Sequence, residues 1–189
     1  MAVGEANLGD LLPVAGLRLA TVSAGIKKPG RRDLVLMALA SGSHVAGVFT
    51  RNAFCAAPVV VARAHLAASQ QQPAYLLVNT GNANAGTGEP GLADARHCAG
   101  AVAELAGVPT EAVLPFSTGV IGEPLPVQKI VDVLPQALAE LREDAWLDAA
   151  HGIMTTDTRP KACSVRFNCN GRSHVLTGIA KGAGMLRPN

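Results

Sequence analysis

The chain has 189 residues, 49% of them hydrophobic and 16% charged, and carries a formal charge of +2. That balance supports a buried core and excludes a disordered segment, while an aromatic content of 3% offers no platform on which bases could stack. Sixteen basic residues are interspersed with fourteen acidic ones except in the run KKPGRR at 27–32, which is too short for a nucleic-acid footprint and reads as a solvated turn.

The first ten residues, MAVGEANLGD, are acidic where a secretory signal would be basic. No stretch approaches the ~18 apolar residues of a membrane span, so the expected address is the cytoplasm, with neither membrane nor nucleic acid as a partner. Four runs follow, at 34–40, 45–50, 58–62 and 74–79. They are short, rich in aliphatic or β-branched residues and bounded by turn formers, which predicts strands.

Helical spacing begins at Leu92, with Leu92, Ala95, Ala99 and Val102 on one face and Gly107 as the stop. A second helix is marked by Val127, Ile130, Leu134, Leu138 and Leu141, with Pro135 expected to kink or split it. A third amphipathic stretch covers 146–154. Near the end, strands at 164–168 and 174–177 flank Asn170 and Gly171, a pair suited to a tight hairpin turn. No linker separates two compositions, so residues 1–189 read as one domain of mixed α/β (α+β) class, without the strict alternation of a βαβ series.

Three segments have the composition of a site. VNTGNANAGTGEPG at 78–91 places Gly86, Gly88 and Gly91 in G-x-G-x-x-G spacing, as a nucleotide-binding module would. Seven residues separate that pattern from the preceding strand and the parallel βαβ context is missing, so a Gly/Asn turn in left-handed conformations fits better. PFSTGVIGEPLP at 115–126 brings a strand to Thr118 and Gly119, where a hydroxyl and backbone N–H groups can converge on an oxyanion or simply cap a helix. IMTTDTRPK at 153–161 clusters threonines around Asp157, able either to bind a polar ligand or to satisfy loose carbonyls.

The four cysteines, Cys55, Cys98, Cys163 and Cys169, lack metal-ligand spacing, so no metal site is expected; they read as buried free thiols in a reducing compartment. None of the five histidines accompanies a nucleophile motif, so a serine or cysteine triad has no support.

Taken in order, AGIKKPGRRDLVLM, GVFTRN, LLVNTGNANAGTG, PFSTGVIGEPLP, IMTTDTRPK and GIAKGAGMLRPN resemble the α chain of the ornithine acetyltransferases (glutamate N-acetyltransferases), bifunctional enzymes of arginine biosynthesis. The likeness runs from about Gly16 onward. It implies a layered sandwich of mixed β-sheets and helices, shared with self-processing enzymes that use an N-terminal threonine. It further implies a precursor that cuts itself before a threonine in KGxGMxxPNMAT, which this chain matches through Asn189. The new threonine would be the nucleophile, its own α-amine the base, and the product an α2β2 assembly with the β chain.

The same resemblance assigns the oxyanion pair to Thr118 and Gly119 and the substrate contacts to Thr155 and Lys181. The implied reaction moves acetyl from N-acetylornithine to glutamate in two steps, needs no cofactor, and leaves acetyl-CoA as a possible donor. On this reading Lys181→Ala mainly weakens binding and Thr118→Ala mainly slows transfer. A self-cleaved aminopeptidase or amidase of the same fold is the alternative reading.

Overall fold

Alternation of apolar side chains builds the main sheet. In the computed structural model, which describes residues 8–70 and 72–182, β1 (Leu17–Val22), β2 (Leu34–Leu39) and β3 (Tyr75–Asn82) pair antiparallel in that order, and β4 (Val113–Val120) adds to β3 in parallel. Because successive residues point to opposite faces, Leu34 and Leu36 of β2 go to one side while Val35 and Met37 go to the other. With Leu77 opposite Leu36 and Ala20 opposite it on the far strand, the register is locked by burial on both faces.

Helices cover both faces. On the Leu36 side lie α2 (Gly88–Ala106) and α3 (Val127–Ala139), whose Cys98, Ala99, Val102, Ile130 and Leu134 pack against Leu34, Leu36, Leu77 and Val113. On the Val35 side, α4 (Trp146–Gly152) sets Trp146 and Ala149 against Leu19 and Val35. Beyond α4 comes a separate antiparallel ribbon, β5 (Lys161–Cys169) and β6 (Arg172–Ala180), which sends Ile179 into the same cluster. The chain is thus a mixed α/β sandwich, with a ribbon as its second sheet in place of a second mixed sheet. No helix of the described residues is long and apolar enough to cross a membrane.

Two expected strands are not strands. Residues 58–62 lie inside α1 (Ala57–Ala68), which opens with Pro58 and buries Ala57, Pro58, Val61, Ala62, His65 and Leu66 at helical spacing. A five-residue window shows the β-branched valines but hides that stripe, and proline is well placed in a helix's first turn. Residues 45–50 form no ladder: Val45 and Phe49 lean onto α1 while Val48 is fully exposed. β-branched composition describes a fit to a pleated neighbour, and here residues 48–50 share a hollow with residues 115–117 of the edge strand β4 without joining its ladder. β1 is an element that the sequence pattern did not predict.

Two further expectations need correction. Of the two outcomes expected at Pro135, the split does not occur: burial of Ile130, Leu134 and Ala137 holds α3 unbroken through it despite the missing N–H. The parallel βαβ context is present after all, since β3 and β4 are parallel neighbours joined through α2. The expected hairpin has Asn170 and Gly171 at its tip, both with positive φ, 50° and 73°, as a two-residue turn of the twisted kind requires. Gly107 ends α2 in the left-handed conformation.

Candidate active site

The C-terminal end of β4 approaches β3 so closely that only glycine fits. Gly119 has φ 143°, and a Cβ there would stand 2.3 Å from the Gly81 carbonyl carbon. Around this contact the ladder slips at Gly81 and Asn82, a bulge that ends regular pairing beside Thr118.

Buried asparagines hold the bulge in place. Asn79 donates its amide to the Asn82 carbonyl at 2.9 Å and accepts from the Ser117 hydroxyl at 2.5 Å. Asn82 donates to the carbonyls of Glu123 and Pro124, at 3.1 and 3.0 Å, fixing the turn that follows β4. Asn84, fully buried, donates to the Gly91 carbonyl at 2.8 Å and accepts from the Thr87 hydroxyl at 2.8 Å. Residues 78–91 therefore fold onto themselves. The Phe54 ring lies 3.3 Å from where a Gly86 side chain would begin, so this glycine loop faces a phenyl group.

A second loop and the end of β6 complete the group. Lys181, one residue past β6, donates its Nζ to the Thr118 hydroxyl oxygen at 2.9 Å. Asp157, its carboxylate only 2% exposed, accepts from the Gly182 N–H at 2.7 Å, from Lys161 Nζ at 2.7 Å and from the Thr155 N–H at 3.3 Å. Burial alone would raise the Asp157 pKa, but the bonds from Lys161, Gly182 and Thr155 outweigh it and bring the value down to about 2. Arg31 donates its guanidinium to the Met154 and Thr155 carbonyls, and Arg32 pairs with Asp148 at 2.8 Å. The run at 27–32 is therefore partly engaged in tertiary contacts, contrary to the expected solvated turn.

The structure thus joins Thr118 to Lys181 directly, and joins Lys181 to Thr155 through Gly182 and Asp157. Thr118 and Thr155 are half-buried, and Gly119 and Lys181 are exposed. Two concavities among the described residues both miss this group. One, about 800 Å³, lies between residues 8–11, α4 and Thr158–Pro160; the other, about 220 Å³, reaches Ser117 from the α1 side. Residues 183–189, the end of the stretch that resembles a self-cleavage motif, lie outside the described residues.

Arg31, Asn79 and Asn82 support this group without having been singled out in the sequence, and Asp157, read there only as the acid of a threonine cluster, supports it too. The available signal for Asp157 was a lone acid among threonines with Lys161 four residues on. For Arg31, composition held none. Other reactive groups are turned away from such work. His65 is buried and donates Nδ1–H to the Val113 carbonyl at 2.8 Å, a core contact. Burial, with Asp94 nearby, pushes the Cys98 thiol up to about 12, leaving it protonated and unreactive. Only Cys98 of the four cysteines is buried; Cys163 and Cys169 are exposed on the ribbon, which corrects the expectation of buried thiols. Among the described residues no three His, Cys, Asp or Glu side chains gather as a metal site.

Comparison with known proteins gives this geometry a relationship. The chain is 59% identical over all its 189 residues to the arginine biosynthesis bifunctional protein ArgJ of Pseudomonas fluorescens (strain Pf0-1), covering 46% of that protein. It is 58% identical over 187 residues to the protein of that name from Methylococcus capsulatus, covering 98% of this chain and 45% of that one. It therefore spans about half the length of the curated relatives it matches.

Among solved structures, the arginine biosynthesis bifunctional protein of Bacillus halodurans superposes with a TM-score of 0.84 at 32% identity, over 97% of this chain and 95% of that one. Ornithine acetyltransferase from Mycobacterium tuberculosis, solved with ornithine, gives 0.84 at 37% identity, over 94% and 93%. A profile of the ArgJ family matches residues 18–189, and the chain belongs to that family.

Proposed function

We propose that this chain is the α part of a cytoplasmic acetyltransferase that passes acetyl from N-acetylornithine to glutamate, with acetyl-CoA as a possible second donor. Residues 1–189 act as one domain, joined to a β chain of the same precursor in an α2β2 assembly. The β chain's N-terminal threonine carries the acetyl group between the two half-reactions. The amide's energy is kept in the acyl-threonine, so the exchange needs no cofactor.

The observation that carries this reading is the Lys181–Thr118 contact. A hydroxyl that already accepts a bond from an ammonium, here at 2.9 Å, keeps its single hydrogen for another acceptor. In a tetrahedral intermediate that acceptor is the oxyanion, with the neighbouring Gly119 N–H as the second donor. The ammonium strengthens the Thr118 O–H as a donor and also offers a counter-charge to the substrate carboxylate. Thr155 lies beside it through Asp157.

This geometry alters one expectation: replacing Lys181 affects the rate as well as binding, because its Nζ touches an oxyanion donor. The full precursor, allowed to process, is assayed for acetyl transfer from N-acetylornithine to glutamate and for release of acetate. Transfer is expected, and Thr118→Ala should lower kcat by about 10²–10³, the usual cost of one oxyanion donor. Release of acetate without transfer would point instead to the hydrolytic reading. A nucleotide-binding module is not supported, since Asn84, Thr87 and Phe54 fill the Gly86–Gly91 turn.

A further inference from the structure

Asp157 has no part in the reaction just described, yet its surroundings are built. A carboxylate this buried is tolerated only if its lone pairs are met, and three donors meet them: Lys161 Nζ, the Gly182 N–H and the Thr155 N–H. Lys161 supplies the compensating charge. The other two donors are backbone groups of the candidate site, one on Thr155 itself and one on the residue after Lys181.

A lysine side chain is long and loses ~2 kcal/mol of rotamer entropy when held, so its reach is reliable only if its base is fixed. Lys181 lies past the last paired residue of β6, Ala180 opposite Lys161, where the ladder no longer fixes the backbone. The bond from Gly182 to Asp157 is what holds the chain just there.

We infer that Asp157 is a positioning residue. By anchoring the N–H groups of Gly182 and Thr155 it sets the backbone from which Lys181 reaches the Thr118 hydroxyl, and so keeps that hydroxyl aimed as a donor. The inference rests on the function proposed above and deepens it. A plain turn brace would also use the Lys161–Asp157 pair, but its loss would not act through Lys181.

The test is a double-mutant cycle in the processed enzyme expressed as the full precursor. Asp157→Asn, Asp157→Glu, Lys181→Ala and the two doubles are compared for kcat and KM in acetyl exchange. Asp157→Asn keeps the shape and loses the charge, while Asp157→Glu keeps the charge and the reach to Lys161 but displaces the carboxylate. Each should lower kcat by roughly 10- to 10²-fold, the cost of a displacement near 1 Å at a reacting centre, with a smaller change in KM. In the Lys181→Ala background neither should lower it further.

Wild-type kcat in both Asp157 variants would overturn the inference, as would losses that multiply with that of Lys181→Ala. If Asp157→Asn does not yield folded enzyme, Asp157→Glu decides through the same cycle. Hydrolysis in place of transfer would sink the functional reading alone, because the cycle can be run on the hydrolytic rate. A kinetically silent Lys181→Ala would overturn both.

Discussion

Gly119 answers two demands at once. Its N–H is a proposed oxyanion donor, while its missing side chain is what lets β4 lie against Gly81. Gly119→Ala forces a Cβ to 2.3 Å from backbone carbon at a φ of 143° that side-chain-bearing residues rarely adopt. The expected cost is ~3 kcal/mol or more, read as a lowered denaturation midpoint, so activity lost in this variant reports folding before chemistry. Thr118 is the cleaner probe, being half-buried and free of such a constraint.

The identity of the candidate residues was legible at this scale because Thr118, Gly119, Thr155 and Lys181 stand in long, ordered motifs. Their supports were not. Asp157 looks like any loop acid until the chain brings Gly182 to it from 25 residues away. Arg31 sits in a run whose composition suggests only solvent, and its contact with the Thr155 carbonyl spans 124 residues.

At the scale of elements, α2 begins in a polar plug. Asn84 is fully buried with φ 44°, bonded to the Gly91 carbonyl and the Thr87 hydroxyl, and its own N–H is held by Asn82 Oδ1 at 2.7 Å. Asn84→Ala leaves those buried groups unpaired and puts alanine in a left-handed conformation that asparagine tolerates better. A loss of ~2 kcal/mol is expected by denaturant titration, with the chain still folded.

Elements with a long apolar period, α2, α3 and α4, were readable from spacing, as was the Asn170–Gly171 hairpin. The two mistaken strands differ in cause. For a short β-branched run, strand and helix compete, and the decision at 57–68 fell to a stripe of buried positions that only the folded sheet makes visible. At 45–50 the run lies beside the edge strand β4 without joining its ladder, which is a tertiary fact.

For the molecule as a whole, the C-terminal ribbon is fastened to the rest by polar contacts as well as by Ile179. Ser164 and Thr177 bond the Leu12 backbone at 2.9 and 2.8 Å, Gly182 bonds Asp157, and Lys161 pairs with Asp157. Asp157 therefore links stability to acidity. Its folded pKa of about 2 lies below the unfolded value, so the carboxylate stabilises the fold above the usual carboxylate range, and that contribution is lost as pH falls from about 4 through 2. The stabilisation corresponds to ~2 kcal/mol. Unfolding curves of the wild type and Asp157→Asn should differ by about that amount at pH 7 and converge by pH 2.

The amino-acid order alone settled the class of fold, the longer helices, the hairpin tip and the residues to suspect, since local periodicity and turn chemistry act over a few residues and motifs keep their order along the chain. Tertiary structure decided the parallel placement of β4 beside β3, the helical state of α1, the need for glycine at 119 and the convergence of Thr118, Lys181, Asp157 and Thr155. Each of these depends on contacts between segments tens of residues apart, whose energies appear only when burial brings polar groups together and obliges them to find partners.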